Sequence, residues 1–257
     1  MSMSKNPAII VNQLTKQYEL GQIREDSLKH TLENWIRGKR GNSDKKKFLA
    51  LDNISLTIEQ GEVVGILGHN GAGKSTFLKV LARITQPSSG YAEVYGRVGT
   101  LLEIGTGFHP DLTGMENIYL NGAILGMKEK EIKSKLDEII AFSGIEQFIY
   151  TPVKYYSSGM TVRLAFSVAS HLEADIIFLD EIWGAGDLDF SKKSIKKMKE
   201  MVKSGKTVLI ISHDLKILSD LSTRCLWMKK GQIIRDGTPK EVIYDYKKEQ
   251  NLPANSL

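Results

Sequence analysis

A glycine-rich segment between two apolar runs constrains this chain more than any other feature of its sequence. The segment covers residues 68–75 and reads Gly-His-Asn-Gly-Ala-Gly-Lys-Ser, directly after the short apolar run 63–67. That run is typical of a parallel strand covered on both faces, and the apolar spacing of residues 76–82 predicts a helix. Since glycines let backbone N–H groups close around phosphate oxygens at a helix N-terminus, the pattern predicts a nucleotide-binding loop.

Two side chains of this loop have predicted roles of their own. We expect the Lys74 ammonium to reach the outer phosphates and to assist catalysis, and the Ser75 hydroxyl to bind Mg²⁺. The strand before the loop and the helix after it make an accidental glycine-rich turn a poor alternative. The residues expected to contact the nucleotide here are His69, Asn70, Gly71, Ala72, Gly73, Lys74, Ser75 and Thr76.

Composition sets wide bounds on the rest of the molecule. The 257 residues, 41% of them hydrophobic, suffice for one large domain or two small ones. No window approaches the roughly 18 to 20 apolar residues of a membrane span, so we expect a soluble chain unless something tethers it. The single cysteine, Cys225, excludes an internal disulfide and is expected in a buried strand. The net charge of +5 suits an anionic partner and is equally explained by solvated lysines.

Apolar strands alternate with helical segments along most of the chain. Helical spacing dominates residues 114–171 and recurs at 190–202. This alternation predicts an α/β fold in which a parallel sheet carries helices on both faces. The expected strands are residues 8–11, 51–58, 91–95, 98–102, 176–179, 208–211 and 226–228.

A long insertion, residues 19–47, separates the first two expected strands. Apolar residues recur in it at helical spacing and predict a short amphipathic helix that ends at Gly38. The Gly- and Lys/Arg-rich stretch 39–47 follows and is typical of a solvated connection. The apolar positions of this predicted helix are Leu28, Leu32, Trp35 and Ile36.

Acidic and histidine side chains follow two of the expected strands. Asp180 and Glu181 end one apolar strand, and His213 follows another. Because ligands of open α/β sheets gather at the carboxyl ends of strands, we assign Asp180 to Mg²⁺ and Glu181 to the general base. His213 is expected to contact the γ-phosphate, although a lone histidine is usually structural.

A Ser-Ser-Gly segment, residues 157–159, precedes the expected helix 161–166. Such an entry to a helix is an N-cap with exposed N–H groups, which by itself is only a cap that also suits an anion. Together with the phosphate loop, the acidic pair, Asp187 and His213 in this order, it resembles the ATP-binding cassette family, whose signature motif is that loop. The resemblance covers nearly the whole chain.

The resemblance implies both a fold and an assembly. The fold is an ABC-type P-loop NTPase over residues 1–250, with a RecA-like parallel sheet core, an antiparallel β subdomain and a helical subdomain at about 104–172. Residues 251–257 are expected to be a tail. In such cassettes the signature loop caps the γ-phosphate of the nucleotide on the opposite subunit, which implies a homodimer around two ATP.

Individual site residues follow from the same resemblance. Ser157, Ser158 and Gly159 would contact the nucleotide of the partner subunit. Asp187 falls where the family has its dimer-contact loop. Tyr18 falls where an aromatic side chain stacks on adenine, and Phe48 competes with it for that role.

Departures from the family pattern indicate one particular branch of the family. Glu103 stands where a glutamine usually links Mg²⁺ to the membrane subunit, and Ser158 and Met160 stand where glycine and glutamine are common. These variants and the segment 107–117 are similar to the branch that exports lipid-linked O antigen, capsule and wall teichoic acid. The branch implies a separate transmembrane subunit at the inner membrane, with this chain on its cytoplasmic face.

The insertion and the C-terminus carry further expectations from this branch. The branch resemblance gives the insertion 19–47 a role in receiving lipid-linked substrate, beside its interpretation as a solvated connection. Branch members that recognise a modified glycan end carry an additional C-terminal domain, for which we expect no room after residue 250.

Three alternative functions compete with polysaccharide export. A cassette for another solute shares every catalytic motif, and only the variant loops and the insertion argue against it. Cassettes that act on nucleic acid carry a long coiled coil or a second cassette, which the sequence lacks, so we expect no nucleic-acid partner. A P-loop kinase leaves the signature segment unexplained.

Overall fold

The computed structural model describes residues 6–20, 46–101, 107–180 and 187–251. Its strands are β1 (Pro7–Leu20), β2 (Lys46–Glu59), β3 (Val63–Leu67), β4 (Ser89–Val94), β5 (Val98–Thr100), β6 (Ile176–Asp180), β7 (Thr207–Ile211), β8 (Arg224–Lys229) and β9 (Gln232–Gly237). Its α-helices are α1 (Lys74–Leu81), α2 (Gly114–Ile124), α3 (Glu129–Ser143), α4 (Ser158–Ser170), α5 (Leu188–Val202), α6 (Leu215–Leu221) and α7 (Pro239–Glu249). Short 3₁₀ turns at Glu146–Phe148 and Val153–Tyr155 precede α4.

Within these residues the strands form two sheets. The smaller sheet is antiparallel and three-stranded, in the order β2-β1-β4. The larger sheet has the order β5-β6-β7-β3-β8-β9 and is parallel except for β9, which returns antiparallel to β8. The predicted α/β class, with its parallel core, antiparallel β unit and helical segment, is confirmed.

The larger sheet separates two apolar cores. Successive residues of its central strands alternate between them, as the period of a strand requires: Val64 packs into one core, whereas Val63 packs into the other. One core is completed by β1, β2 and α1, and the other by α2 to α7. A strand covered on both faces is continuously apolar, and all five residues of β3 are buried.

A buried amide shapes the segment 107–117 that leads into α2. The Asn117 side chain is fully buried, and its Nδ2 donates to the carbonyl oxygens of His109, Leu112 and Thr113 at 2.9–3.0 Å. Its Oδ1 accepts from the backbone N–H of His109 at 2.7 Å. Since every polar atom of this amide is satisfied, Asn117 holds the loop in one conformation.

Several boundaries differ from the sequence-based expectation. The first strand runs to residue 20, whereas the prediction ended it at residue 11. The reason is a bulge that leaves Asn12 and Gln13 exposed between buried Val11 and Leu14, so the sequence does not alternate there as a strand usually does. β9 and α7 were not predicted at all. A capping box that joins Thr238 and Glu241 marks the start of α7 and was a readable signal.

The ends of the predicted insertion belong to a strand pair. Glu19 lies opposite Lys47 and Leu20 opposite Lys46 in the β1–β2 ladder. The predicted amphipathic helix at 28–36 and the tail 252–257 lie outside the described residues. The single domain over 1–250 and the helical subdomain at 104–172 stay predictions.

The buried cysteine gives a test of this fold. Cys225 lies in β8 with no exposed surface, and burial raises the pKa of its thiol to about 11. We therefore expect the native protein to be inert to a thiol reagent such as DTNB at pH 8, because the reactive thiolate is both scarce and inaccessible.

In guanidinium, where the protein is unfolded, Cys225 should react with DTNB within minutes and release one equivalent of chromophore per chain. Rapid labelling of the native protein at the same pH would show that β8 is not a central strand.

Candidate nucleotide-binding site

The glycine-rich loop connects the carboxyl end of β3 to the first residue of α1. Two of its glycines, Gly68 and Gly73, are required by close backbone neighbours. Gly68 has φ +147°, and a Cβ there would lie 2.2 Å from the carbonyl oxygen of Met228. Gly73 has φ +104°, and a Cβ there would lie 2.4 Å from the carbonyl oxygen of Ala50. The loop therefore lies between the backbones of strands β8 and β2, and a side chain at either glycine would clash with them.

The Lys74 ammonium lies inside the loop that precedes it. The side chain is 6% exposed, and its Nζ donates to the carbonyl oxygens of Gly68 at 2.7 Å and His69 at 3.1 Å. A buried ammonium requires hydrogen-bond acceptors, and the loop supplies them from its own backbone. The positive charge is thus placed at the centre of the glycine-rich turn.

Backbone hydrogen bonds attach the loop to the neighbouring sheets. The N–H of Ala72 donates to the carbonyl of His69 at 3.1 Å, and the N–H of Gly231 donates to that of Ala72 at 2.9 Å. The N–H of Asp52 in turn donates to the carbonyl of Gly231 at 2.9 Å. Of the predicted contacts, His69, Asn70, Gly71 and Ser75 are exposed, Gly73 and Thr76 are half-buried, and Ala72 is buried.

The acidic and histidine residues lie at the same edge of the sheet as the loop. β6, β7 and β3 are parallel neighbours, so Asp180, His213 and the loop all follow carboxyl ends. Asp180 is half-buried opposite Ile211, and His213 is exposed. The predicted meeting of these groups at one edge agrees with the strand order.

The oxygen atoms of two predicted metal residues suit magnesium. The Ser75 hydroxyl and the Asp180 carboxylate are hard oxygen ligands, which Mg²⁺ prefers. The described residues contain no group of three or more His, Cys, Asp or Glu side chains that could hold a metal ion. The other predicted participants, Glu103 as a metal residue and Glu181 as the base, lie outside the described residues.

Both candidates for adenine stacking occupy one position of the antiparallel sheet. Tyr18 of β1 lies directly opposite Phe48 of β2, and the two are 36% and 45% exposed. The Lys16 ammonium lies 4.9 Å from the centroid of the Tyr18 ring. Phe48 precedes by two residues Ala50, whose carbonyl oxygen lies beside Gly73 of the phosphate loop.

The Ser-Ser-Gly segment begins helix α4 as predicted. Ser157 is the N-cap, and its hydroxyl accepts from the N–H of Met160 at 3.2 Å. The segment lines an open groove of about 460 Å³, together with Val162, Arg163 and Asp187. No residue of the phosphate loop lines this groove. The two predicted anion sites therefore do not share this groove within one chain.

Arg163 lies in the groove beside the Ser-Ser-Gly segment, the signature groove, where it contacts Asp187. This role was not predicted from the sequence. Its guanidinium donates to the carbonyl oxygens of Ser143 at 2.8 Å and Gly144 at 3.2 Å, and to the Asp187 carboxylate at 3.3 Å. Asp187 caps α5 by accepting from the N–H of Phe190 at 2.9 Å. One arginine thus fixes the relative position of α3, α4 and α5.

Tyr246 of α7 is a second residue that the sequence did not indicate. Its ring centroid lies 5.8 Å from that of His69 in the phosphate loop and 5.6 Å from that of Trp227 in β8. Burial raises the pKa of its phenol. A capping box marks the start of helix α7, but no local pattern in the sequence places this ring near the loop.

Comparison with solved structures defines the class of the fold. An ATP-binding cassette solved as a dimer in a post-hydrolysis state with ADP and Pi matches this chain with a TM-score of 0.68. The match covers 90% of this chain and 98% of that one at 22% identity. Identity this low shows the fold alone, which is that of an ATP-binding cassette.

Sequence comparison shows the family. The family model described as ABC transporter matches residues 51–184. The O-antigen export system ATP-binding protein RfbB of Klebsiella pneumoniae is 39% identical over 94% of this chain and 98% of its own length. This chain belongs to the ABC transporter family.

Two further relatives are longer proteins. An O-antigen export system ATP-binding protein RfbB of Myxococcus xanthus is 44% identical over 95% of this chain and 56% of its own length. The teichoic acids export ATP-binding protein TagH of Bacillus anthracis is 40% identical over 91% of this chain and 41% of its own length. This chain thus spans about half the length of each of these two relatives.

No helix within the described ranges is long and apolar enough to cross a bilayer.

The buried ammonium yields a direct test of the site. Lys74→Ala should weaken ATP binding by about 10- to 100-fold, the range that the loss of a charge-assisted hydrogen bond implies. Titration of a fluorescent ATP analogue measures the change.

Lys130→Ala, at an exposed position of α3, is the matched control and should bind like the wild type. Unchanged affinity in Lys74→Ala would contradict the assignment of the loop.

Proposed function

We propose that this chain is the ATP-hydrolysing subunit of a system that exports a lipid-linked polysaccharide, such as O antigen, capsule or teichoic acid. The observation that carries the ATPase part is the burial of the Lys74 ammonium among the carbonyl oxygens of Gly68 and His69. The names of the relatives support the export part, since they cover both O-antigen and teichoic acid systems.

Nucleotide binding uses the glycine-rich loop and the antiparallel sheet. The N–H groups at the start of α1 and the Lys74 ammonium hold the phosphates, and Ser75 and Asp180, with Glu103, hold Mg²⁺. Bound Mg²⁺ supplies positive charge at the phosphate oxygens. Tyr18 or its cross-strand partner Phe48 stacks on the adenine.

Hydrolysis uses the two residues that follow β6 and β7. Glu181, next to Asp180 in the chain, accepts a proton from the attacking water, and His213 donates a hydrogen bond to the γ-phosphate. The adjacency of β6 and β7 supports this arrangement, because it brings both strand ends to the edge that carries the phosphate loop. Most of the rate enhancement comes from positioning and charge neutralisation.

A complete site requires two copies of the chain. The signature groove contains no residue of the phosphate loop, which supports a triphosphate held between two copies. In a homodimer, Ser157, Ser158 and Gly159 of one copy face the γ-phosphate held by the other. Asp187, which borders the groove and is held by Arg163, lies at the contact between copies.

Transport requires a partner in the membrane. We assign the transmembrane path to a separate polytopic subunit, with this chain bound to its cytoplasmic side through the segment around Glu103 and the helical region. ATP closes the dimer, and hydrolysis reopens it. Nucleic acid has no part in this function.

The general base gives the sharpest test of the catalytic part. Glu181→Gln should keep ATP binding and reduce hydrolysis by at least about 100-fold, because an amide does not accept the proton of the attacking water. The variant should also accumulate as an ATP-bound dimer in size-exclusion chromatography with light scattering.

Glu200→Gln, at an exposed position of α5, is the matched control and should hydrolyse ATP like the wild type. Hydrolysis at the wild-type rate by Glu181→Gln would refute the assignment of the base.

The cargo needs a separate measurement. Purification of the chain with its membrane partner, followed by mass spectrometry of bound lipid-linked glycan, should yield a polyprenyl-linked polymer. A complex that carries an unrelated solute instead would refute the export part and leave the ATPase part in place.

A further inference from the structure

A row of three aromatic rings connects helix α7 to the phosphate loop. Trp227 lies opposite Leu67, the last residue of β3 before the loop, and is 4% exposed. The ring of Tyr246 meets Trp227 edge to face, at an interplanar angle of 81°. On its other side Tyr246 meets His69, with the two rings tilted by 48°. Tyr246 is therefore placed between a buried strand residue and a residue of the loop.

The backbone of His69 is directly connected to the functional ammonium. Its carbonyl oxygen accepts from Lys74 Nζ at 3.1 Å and from the N–H of Ala72 at 3.1 Å. A rotation of the His69 peptide would therefore change the acceptor geometry of Lys74. The His69 side chain is exposed, and contact with water does not restrict its rotation. Within the residues that the structure describes, the Tyr246 ring packs against the His69 ring and restricts its position.

Helix α7 holds the Tyr246 ring in a fixed place. Val242 and Ile243 anchor one face of the helix in the core. Ion pairs tie the neighbouring turns to the sheet: Asp245 to Arg235 of β9, and Glu249 to Lys229 of β8. A ring on so constrained a helix is suited to restrain a loop residue that contacts it.

We infer that Tyr246 is a positioning residue for ATP binding: through the His69 ring it holds the loop in the conformation that presents Lys74 to the phosphates. This inference rests on the proposed function and deepens it. Tyr246 itself touches neither phosphate nor metal. Its ring carries the effect, and its hydroxyl contributes little.

Three substitutions separate this role from general stabilisation. Tyr246→Ala removes the ring and should raise the Kd and the KM for ATP about fivefold, the size of a lost aromatic pair, with kcat changed less than twofold. Tyr246→Phe keeps the ring and should restore both values to within about twofold of wild type. Tyr244→Ala removes a tyrosine that is 62% exposed on the same helix and should change neither.

A double-mutant cycle tests the path through the histidine. If Tyr246 acts through His69, Tyr246→Ala combined with His69→Ala should weaken ATP binding no further than the more damaging single change. Fully additive effects would show that Tyr246 acts by another route and would overturn the inference. Urea unfolding of each variant accompanies the titrations, and Tyr246→Leu, which keeps apolar volume without a ring, replaces the alanine variant if that unfolds.

Failure of the inference and failure of the proposed function give different experimental results. Wild-type affinity in Tyr246→Ala or Tyr246→Leu, or an equal loss in Tyr244→Ala, overturns the positioning role while ATP binding stands. A wild-type protein that does not bind ATP refutes the proposed function itself. An increased KM in Tyr246→Ala that Tyr246→Phe reverses supports the positioning role.

Discussion

The burial of one ammonium group determines how the phosphate loop is built. Lys74 is almost fully enclosed, and its charge is tolerated because the carbonyl oxygens of Gly68 and His69 accept its hydrogen bonds. For these carbonyls to point inward, the chain must turn back on itself within a few residues, which requires glycine at sites with positive φ. Gly68 and Gly73 meet this requirement and also let Met228 and Ala50 approach closely. Substitution at either glycine would therefore disturb both the loop and the sheets beside it.

The parallel sheet brings separate stretches of the sequence together at one edge. Asp180 and His213 are more than 100 residues from Lys74 in the chain, yet β6, β7 and β3 are hydrogen-bonded neighbours. Side-chain hydrogen bonds also join the helical region to this core. Arg163, which binds Ser143, Gly144 and the Asp187 carboxylate, is prominent among them. The core and the helical region are thus connected at the residue that caps α5.

Sequence patterns predicted the sheet edge that carries the phosphate loop better than the contacts that support it. Glycine spacing, continuous apolar strands and strand-end acids are local signals, and they placed the loop, Asp180 and the Ser157 cap correctly in the fold. Tyr246 and Arg163 act through contacts between elements distant in sequence, which no local pattern encodes. The bulge at Asn12 and Gln13 disguised most of β1 because it breaks the alternation from which strands are recognised. The roles of Glu103 and Glu181 stay predictions.

The pairing of Glu19 with Lys47 and of Leu20 with Lys46 has a consequence for the length of the segment that joins the two strands. Because the ladder already holds these ends at the separation of adjacent strands, about 5 Å, a longer connection adds only a slowly growing loop entropy. The hairpin end is therefore a place at which the connecting segment can be lengthened, shortened or replaced at low cost in free energy, because the strand pair that closes the loop stays the same.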